Sequence, residues 1–305
     1  MIKYPPYLEK GDTIGLVCPA GYMAPERVAE CIRVLTEEWG YTVKVGKTVG
    51  SASTTYFSGT DAERREDLQQ MLDDPAVKAI LCARGGYGMG RIIDELNFKA
   101  FKKSPKWIIG FSDITVLHAH LYSNYYISSI HGPMAGAFND GAYINDYVQS
   151  LRSVLQGDKI RYQCEAHDMN RKGEAIGELV GGNLALIAHL IGTGSELKTR
   201  GRILFLEDVG EYLYNIDRMM FQLKRSGKLD KLAGLIIGGF KIKVDDPGDD
   251  FGKTLQDIVL EKTRKYTYPI CFDFPVGHQK NNFALKCGVR HQLLVADNGT
   301  TLKEL

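Results

Sequence analysis

Short apolar runs alternate with helix-sized amphipathic segments through the first half of the chain, and most of the runs end in turns of small residues. Thr13-Ile-Gly-Leu-Val-Cys18 ends in Pro19-Ala-Gly21. From Pro25 to Gly40 the spacing predicts a helix, with Val28, Cys31, Ile32, Leu35 and Trp39 on one face. Pro25 suits a first helical turn and Gly40 a stop. Tyr41–Val45 reads as a strand and Asp61–Leu72 as a charged helix with Asp61 as its N-cap. Strands follow at Lys78–Ala83, Trp107–Gly110 and Ile127–Ile130, with a helix from about Asp113 to Tyr122. Such alternation specifies a parallel sheet with helices on both faces, whose functional groups gather at the carboxyl ends of the strands.

The segment from Asp140 to Gly173 is more polar and less periodic, and a domain boundary is expected there. This gives an N-terminal domain at 1–150, a linker at 151–172 and a C-terminal domain at 173–305. The latter opens with Gly177–Asn183 and an apolar helix reaching Ile191, in which His189 is expected to be packed. It continues with strands at Arg202–Leu206 and Leu232–Gly238, a helix from Asp217 to Leu223, and short strands near Ile270 and Arg290–Val295.

The chain has 305 residues, 44% hydrophobic and 25% charged, which is an ordinary globular mix. A formal net charge of +1 offers no broad field for nucleic acid or anionic membrane. Lys224–Lys231 reads as a solvated helix end. No signal-peptide pattern opens the sequence, and no run reaches the roughly 18 apolar residues of a membrane span. The six cysteines show neither C-x-x-C pairing nor zinc spacing, so the expectation is reduced thiols, a cytoplasmic location and no metal.

Two segments carry chemistry. In Ile109-Gly-Phe-Ser-Asp-Ile114 a buried strand ends, a hydroxyl stands at the apex and a helix begins. Such a turn exposes a nucleophilic serine at the positive end of a helix. The same residues, Ser112 and Asp113, also suit plain helix capping, which is the more ordinary use of such a pair. Ile114 stands where the α/β-hydrolase elbow has its last glycine, so the match to that fold is poor. Arg84-Gly-Gly-Tyr-Gly-Met-Gly90 is the second segment. It reads as an oxyanion-hole donor, a phosphate loop lacking G-K-[ST], or a tight turn.

A serine nucleophile needs a base, and the base needs an acid to hold its tautomer. Of seven histidines, His278 stands out in the loop Pro275-Val-Gly-His-Gln-Lys-Asn-Asn282. His118 and His120 lie on the helix after Ser112 and point away from its start. Glu207 ends a buried strand, where an acid is either functional or paired, and has to be distinguished from Asp208 and Glu211.

Together these segments resemble the LD-carboxypeptidase family, also called murein tetrapeptide carboxypeptidases, and the related microcin C immunity peptidases. The resembling pieces are G-D-T-I-G-L-V-C-P-A at 11–20, A-R-G-G-Y-G at 83–88, I-G-F-S-D at 109–113, H-G-P at 131–133, G-G-N-L at 181–184, L-E-D-V-G-E at 206–211 and G-H at 277–278. Each is weak alone; the ordered set, spanning almost the whole chain, is specific. The resemblance implies an N-terminal flavodoxin-like α/β domain, a smaller β-rich C-terminal domain, a homodimer and no metal or other cofactor. It implies a triad of Ser112, His278 and Glu207, with the backbone N–H groups of Gly86 and Asp113 as the oxyanion hole. The implied reaction is acyl transfer at the L,D-peptide bond before a terminal D-amino acid of a murein tetrapeptide, as in cell-wall recycling.

Arg84, Tyr87, His131 and Asn183 are candidates for substrate binding. Arg84 or nearby backbone N–H groups would take the terminal carboxylate, although Arg84 also fits a structural ion pair. His131 and Asn183 equally fit loop stabilisation. Three other readings stand beside the murein one. An immunity-type peptidase would act on a peptidyl or aminoacyl nucleotide. Both tryptophans, Trp39 and Trp107, lie in the first half, and in the second Tyr212 or Tyr214 could substitute to stack on a base. A binding protein would hold peptidoglycan fragments without turnover. A nucleotide-binding protein would use the glycine-rich loop.

Overall fold

A computed structural model describes residues 2–248 and 250–305, which form two compact units. The first comprises Met1–Asp158 with Phe283–Lys286. Its strands are β1 (Thr13–Val17), β2 (Thr42–Val45), β3 (Val77–Cys82), β4 (Trp107–Gly110) and β5 (Ser129–His131), parallel in the order β2-β1-β3-β4-β5. That is the flavodoxin-like winding, whose switch point lies between β1 and β3. β3 and β4 are buried almost throughout, as their unbroken apolar runs require, while edge strand β2 is largely exposed. Trp107 anchors β4: it is fully buried, donates Nε1–H to the Pro6 carbonyl at 3.0 Å and stacks on Tyr7 at 5.7 Å. Burying such a ring stabilises the fold by about 3 kcal/mol.

The second unit comprises Lys159–Asn282 with Cys287–Leu305. Its strands begin with β6 (Arg161–Cys164), β7 (Gly173–Asn183), β8 (Ile203–Glu211), β9 (Gly234–Ile242) and β10 (Ile270–Cys271). After β11 (Leu285–Cys287), which adds to the first sheet beside β5, come β12 (Arg290–Ala296) and β13 (Gly299–Glu304). The second sheet runs β10-β9-β8-β7-β12-β13-β6, parallel from β7 to β10 and antiparallel from β7 through β12 and β13 to β6.

Several expectations differ from what is observed. The segment 151–172 is not a linker: helix Asp146–Gln156 runs through its start and belongs to the first unit, and β6 pairs with β13 in the second. The N-cap of helix Asp61–Asp73 is Thr60, one residue earlier than expected. Thr60 forms a capping box with Glu63, and Asp61 instead pairs with Arg64 and Arg91. The helix beginning at Glu26 passes into a π-helical stretch, Val34–Glu38, that still buries Leu35. His189 is exposed rather than packed. Helix Leu255–Thr263 and strands β6 and β13 are additional to the elements read from the sequence.

Candidate active site

Ser112 stands where β4 gives way to a 3-10 turn, Ser112–Ile114, that leads into helix Thr115–Tyr125. Its φ is +62°, a left-handed conformation that costs a serine on the order of 1–3 kcal/mol. Such a backbone lifts the side chain out of the strand-to-helix turn. The turn is braced from below by His118, which is fully buried with Nε2 2.8 Å from the Gly110 carbonyl oxygen. Burial pulls the His118 imidazole down to about 4, so it is neutral near pH 7 and a support rather than a base.

The glycine-rich loop after β3 runs against this serine. A Cβ on Gly85 would lie 2.9 Å from Ser112 Cβ and 3.2 Å from its Oγ, so only glycine fits. Gly86 has φ +103°, and its N–H finds no acceptor among the described residues. Two buried charges fix the loop. The Asp113 carboxylate accepts from Met89 N–H at 2.7 Å, and burial pushes it up to about 6. Arg64, fully buried, donates Nη1–H to the carbonyls of Pro19 at 2.6 Å and Gly88 at 3.1 Å. It thereby ties the turn after β1 to the turn after β3 across the switch point.

In the second unit, Glu207 and His278 form a pair. Glu207 is 0% exposed, and its Oε2 accepts from His278 Nδ1 at 2.5 Å and from the His278 backbone N–H at 3.2 Å. Glu207 Oε1 has no partner among the described residues, so the acid's hydrogen bonds all go to His278. β9 carries an irregularity opposite Glu207: Leu206 pairs with Ile237, but Asp208 pairs with Phe240. Gly238 and Gly239 together oppose the single Glu207 and let the Val276–Gln279 loop lie directly on the strand, and Gly239 N–H donates to the Val276 carbonyl at 2.8 Å. Gly277, at φ +95°, has no room for a Cβ beside Glu207 and donates its N–H to Asn282 Oδ1 at 2.8 Å.

The neighbouring acids have other partners. Asp208 accepts from Asn183 Nδ2 at 2.9 Å and Ala185 N–H at 2.9 Å, and Glu211 accepts from Asn215 at 2.9 Å. Burial pushes Asp208 up to about 6.

Residues 14–132 match the LD-carboxypeptidase N-terminal domain and residues 176–293 the LD-carboxypeptidase C-terminal domain. A probable murein peptide carboxypeptidase of Bacillus subtilis is 35% identical over 98% of this chain and 94% of its own length. The chain belongs to the LD-carboxypeptidase family. It is therefore a serine-type carboxypeptidase. The murein tetrapeptide carboxypeptidase of Pseudomonas aeruginosa is 32% identical over 90% of this chain and 91% of its own. The crystal structure of a muramoyltetrapeptide carboxypeptidase from Oxalobacter formigenes superposes with a TM-score of 0.85 at 29% identity, covering 96% and 98% of the two chains. A microcin C7 self-immunity protein bound to adenosine monophosphate shares the fold, with a TM-score of 0.84 at 22% identity over 98% of each chain.

The remaining candidates of this LD-carboxypeptidase are placed as follows. Arg84 is exposed, donates Nη1–H to the Tyr22 carbonyl at 2.5 Å and lines a cavity of about 510 Å³ with Tyr22, Arg27, Phe111 and Met134. Arg84 has no carboxylate partner among the described residues, so the structural ion pair is replaced by a bond to backbone. Tyr87 is exposed, with its ring 5.8 Å from that of Phe57. His131 is fully buried in β5, 5.7 Å from the Phe111 ring. Asn183 is buried and caps helix Leu184–His189 while holding Asp208. Both His131 and Asn183 are buried. Tyr212 and Tyr214 stack on each other at 5.7 Å.

Three positioning elements escaped the sequence reading: Arg64, the Asp113 side chain and the Gly238–Gly239 irregularity. Only the last has a local signal, paired glycines inside a strand. Among the described residues no helix is long and apolar enough to cross a membrane.

Proposed function

We propose that the protein hydrolyses the L,D-peptide bond before the terminal D-amino acid of murein tetrapeptides, through an acyl-enzyme on Ser112. The observation that carries this reading is the Glu207–His278 pair, a fully buried acid whose side-chain hydrogen bonds all go to one histidine. With Nδ1 protonated toward Glu207, Nε2 keeps its lone pair and serves as the general base. In this reading Nε2 takes the proton from Ser112 Oγ as the oxygen attacks the carbonyl carbon. The N–H groups of Gly86 and Asp113 stabilise the oxyanion, by roughly 3–4 kcal/mol for each well-placed donor. His278 then passes its proton to the departing amine of the D-amino acid. Water, deprotonated by the same Nε2, attacks the acyl carbon and frees the tripeptide and the Ser112 hydroxyl.

Arg84 is assigned the terminal carboxylate. It lines the cavity beside Phe111 together with Arg27, and no Asp or Glu lines that wall. One of its five donors is taken by Tyr22, leaving the others for an anion. A homodimer and a cytoplasmic location belong to the same reading. Sedimentation velocity tests the first and cell fractionation the second.

The substrate is tested by incubating the protein with L-Ala-γ-D-Glu-diamino acid-D-Ala peptides containing lysine or diaminopimelate, beside the same peptides ending in D-Ala amide. Release of D-Ala from the free acids, with the amides much poorer, is the expected result. Hydrolysis of an aminoacyl nucleotide with no D-Ala release would replace the substrate class, and binding without turnover would replace the enzyme reading.

A further inference from the structure

The two edge strands of the second sheet meet through sulfur. β6 and β10 stand at opposite ends of the strand order, yet Cys164, the last residue of β6, and Cys271, the last of β10, have their Sγ atoms 3.8 Å apart. Around them the segment after β6 is already strapped onto β10. Arg171 and Ile270 exchange backbone hydrogen bonds at 3.0 and 2.9 Å, and Phe272 N–H donates to Asn170 Oδ1 at 2.8 Å. The His167 ring lies 5.4 Å from that of Phe272.

Of the six cysteines, all within the described residues, Cys164 alone is partly exposed; the other five are buried. The one partly exposed cysteine therefore has a second sulfur in contact with its own. This is the arrangement of an attacked thiol with its resolving partner.

We propose that Cys164 and Cys271 form a peroxide-sensitive dithiol, which oxidises to a disulfide that clamps the two edge strands together. The Cys164 thiol gives up its proton as its sulfur attacks one oxygen of hydrogen peroxide; the O–O bond breaks, Cys164 becomes a sulfenic acid, and the departing hydroxide takes that proton and leaves as water. The Cys271 sulfur then attacks the sulfenyl sulfur. The S–O bond breaks, and the departing hydroxide takes the Cys271 proton as a second water. Each sulfur loses one electron and the two peroxide oxygens gain one each. The sulfurs need to close from 3.8 Å to a bond of about 2.05 Å, a movement within reach of side-chain rotation and a small shift of strand ends. The roles follow from the environment. The hydrogen bond from Cys271 lowers the Cys164 thiol, while that same bond and burial raise Cys271, so Cys164 is the more acidic of the two. A bond from 164 to 271 closes a long loop, so oxidation restricts the unfolded chain strongly.

The test treats the reduced full chain with hydrogen peroxide and reads its intact mass and melting temperature, then unfolds a portion, blocks remaining thiols with iodoacetamide and maps the peptides. The expected product is a monomer that has lost two hydrogens, about 2 Da, with the peptides holding Cys164 and Cys271 cross-linked. Its melting temperature should rise by roughly 5–10 °C and return on reduction with dithiothreitol. Cys164→Ser, at the partly exposed position, should fold normally and show neither change. Cys271→Ser should instead trap sulfenic or sulfinic acid on Cys164. Sulfinic acid on Cys164 of the unaltered chain, with Cys271 still open to iodoacetamide, would overturn the proposal, as would a disulfide between other cysteines.

Discussion

A single oxygen, Glu207 Oε2, accepts from both the side chain and the backbone of His278, at 2.5 Å from Nδ1 and 3.2 Å from N. This double anchor fixes the ring's tautomer as well as its direction. Glu207→Gln would place an amide against Nδ1, and its NH2 group would favour the wrong tautomer. Steady-state kinetics should show kcat lowered by roughly 10²–10⁴-fold with KM little changed. A comparable fall in KM and kcat, or no effect, would remove Glu207 from this role.

Gly277 lies against that acid. Its φ of +95° and the absence of space beside Glu207 Cβ make Gly277→Ala doubly unfavourable. We expect a loss of at least about 1–3 kcal/mol in urea denaturation and near-complete loss of turnover.

Asp113 gives a pH signature. Burial pushes its carboxyl up to about 6, from an ordinary value of 3.8. The folded protein then holds this proton more tightly than the unfolded chain. Its stabilising contribution is complete below about pH 4 and lost as pH rises through 6. Asp113→Asn has no such titration. The stability of the wild type relative to Asp113→Asn should therefore fall, on the order of 2–3 kcal/mol, between pH 4 and 7. Urea melts of both proteins across that range check the sign.

Arg64 joins two turns through the carbonyls of Pro19 and Gly88. Arg64→Met removes both bonds and leaves the Pro19 carbonyl without a donor, at a cost of about 1–3 kcal/mol, while the Gly88 carbonyl keeps the Arg91 N–H. Denaturant melts should show that loss, and turnover should fall with it because the Gly85–Gly86 loop is no longer held. Asp61→Asn removes the carboxylate paired with Arg64 and Arg91 but leaves the Arg64 donors to Pro19 and Gly88 in place, so turnover should fall less than in Arg64→Met.

The winding of the first unit was legible because β1, β3 and β4 are buried on both faces and read as unbroken apolar runs between turn residues. Ser112 and His278 were legible as singular polar residues in constrained turns, although local pattern alone left Ser112 open between nucleophile and cap. β6 and β13 were not legible because their residues alternate in exposure over only a few positions. Arg64 and the Asp113 carboxylate escaped for another reason. Each looks like an ordinary charged helix residue, and its meaning arises only when backbone from distant turns folds around it. Thr60 displaced Asp61 as the cap because its hydroxyl and the Glu63 carboxylate satisfy each other's backbone N–H groups.

The most direct test is D-Ala release from a murein tetrapeptide by wild type and by Ser112→Ala, followed by mass spectrometry. Release by the wild type that disappears in the variant, with the variant still binding the peptide, is the expected result. Release that persists at a comparable rate in Ser112→Ala would contradict the assignment of Ser112 as the nucleophile.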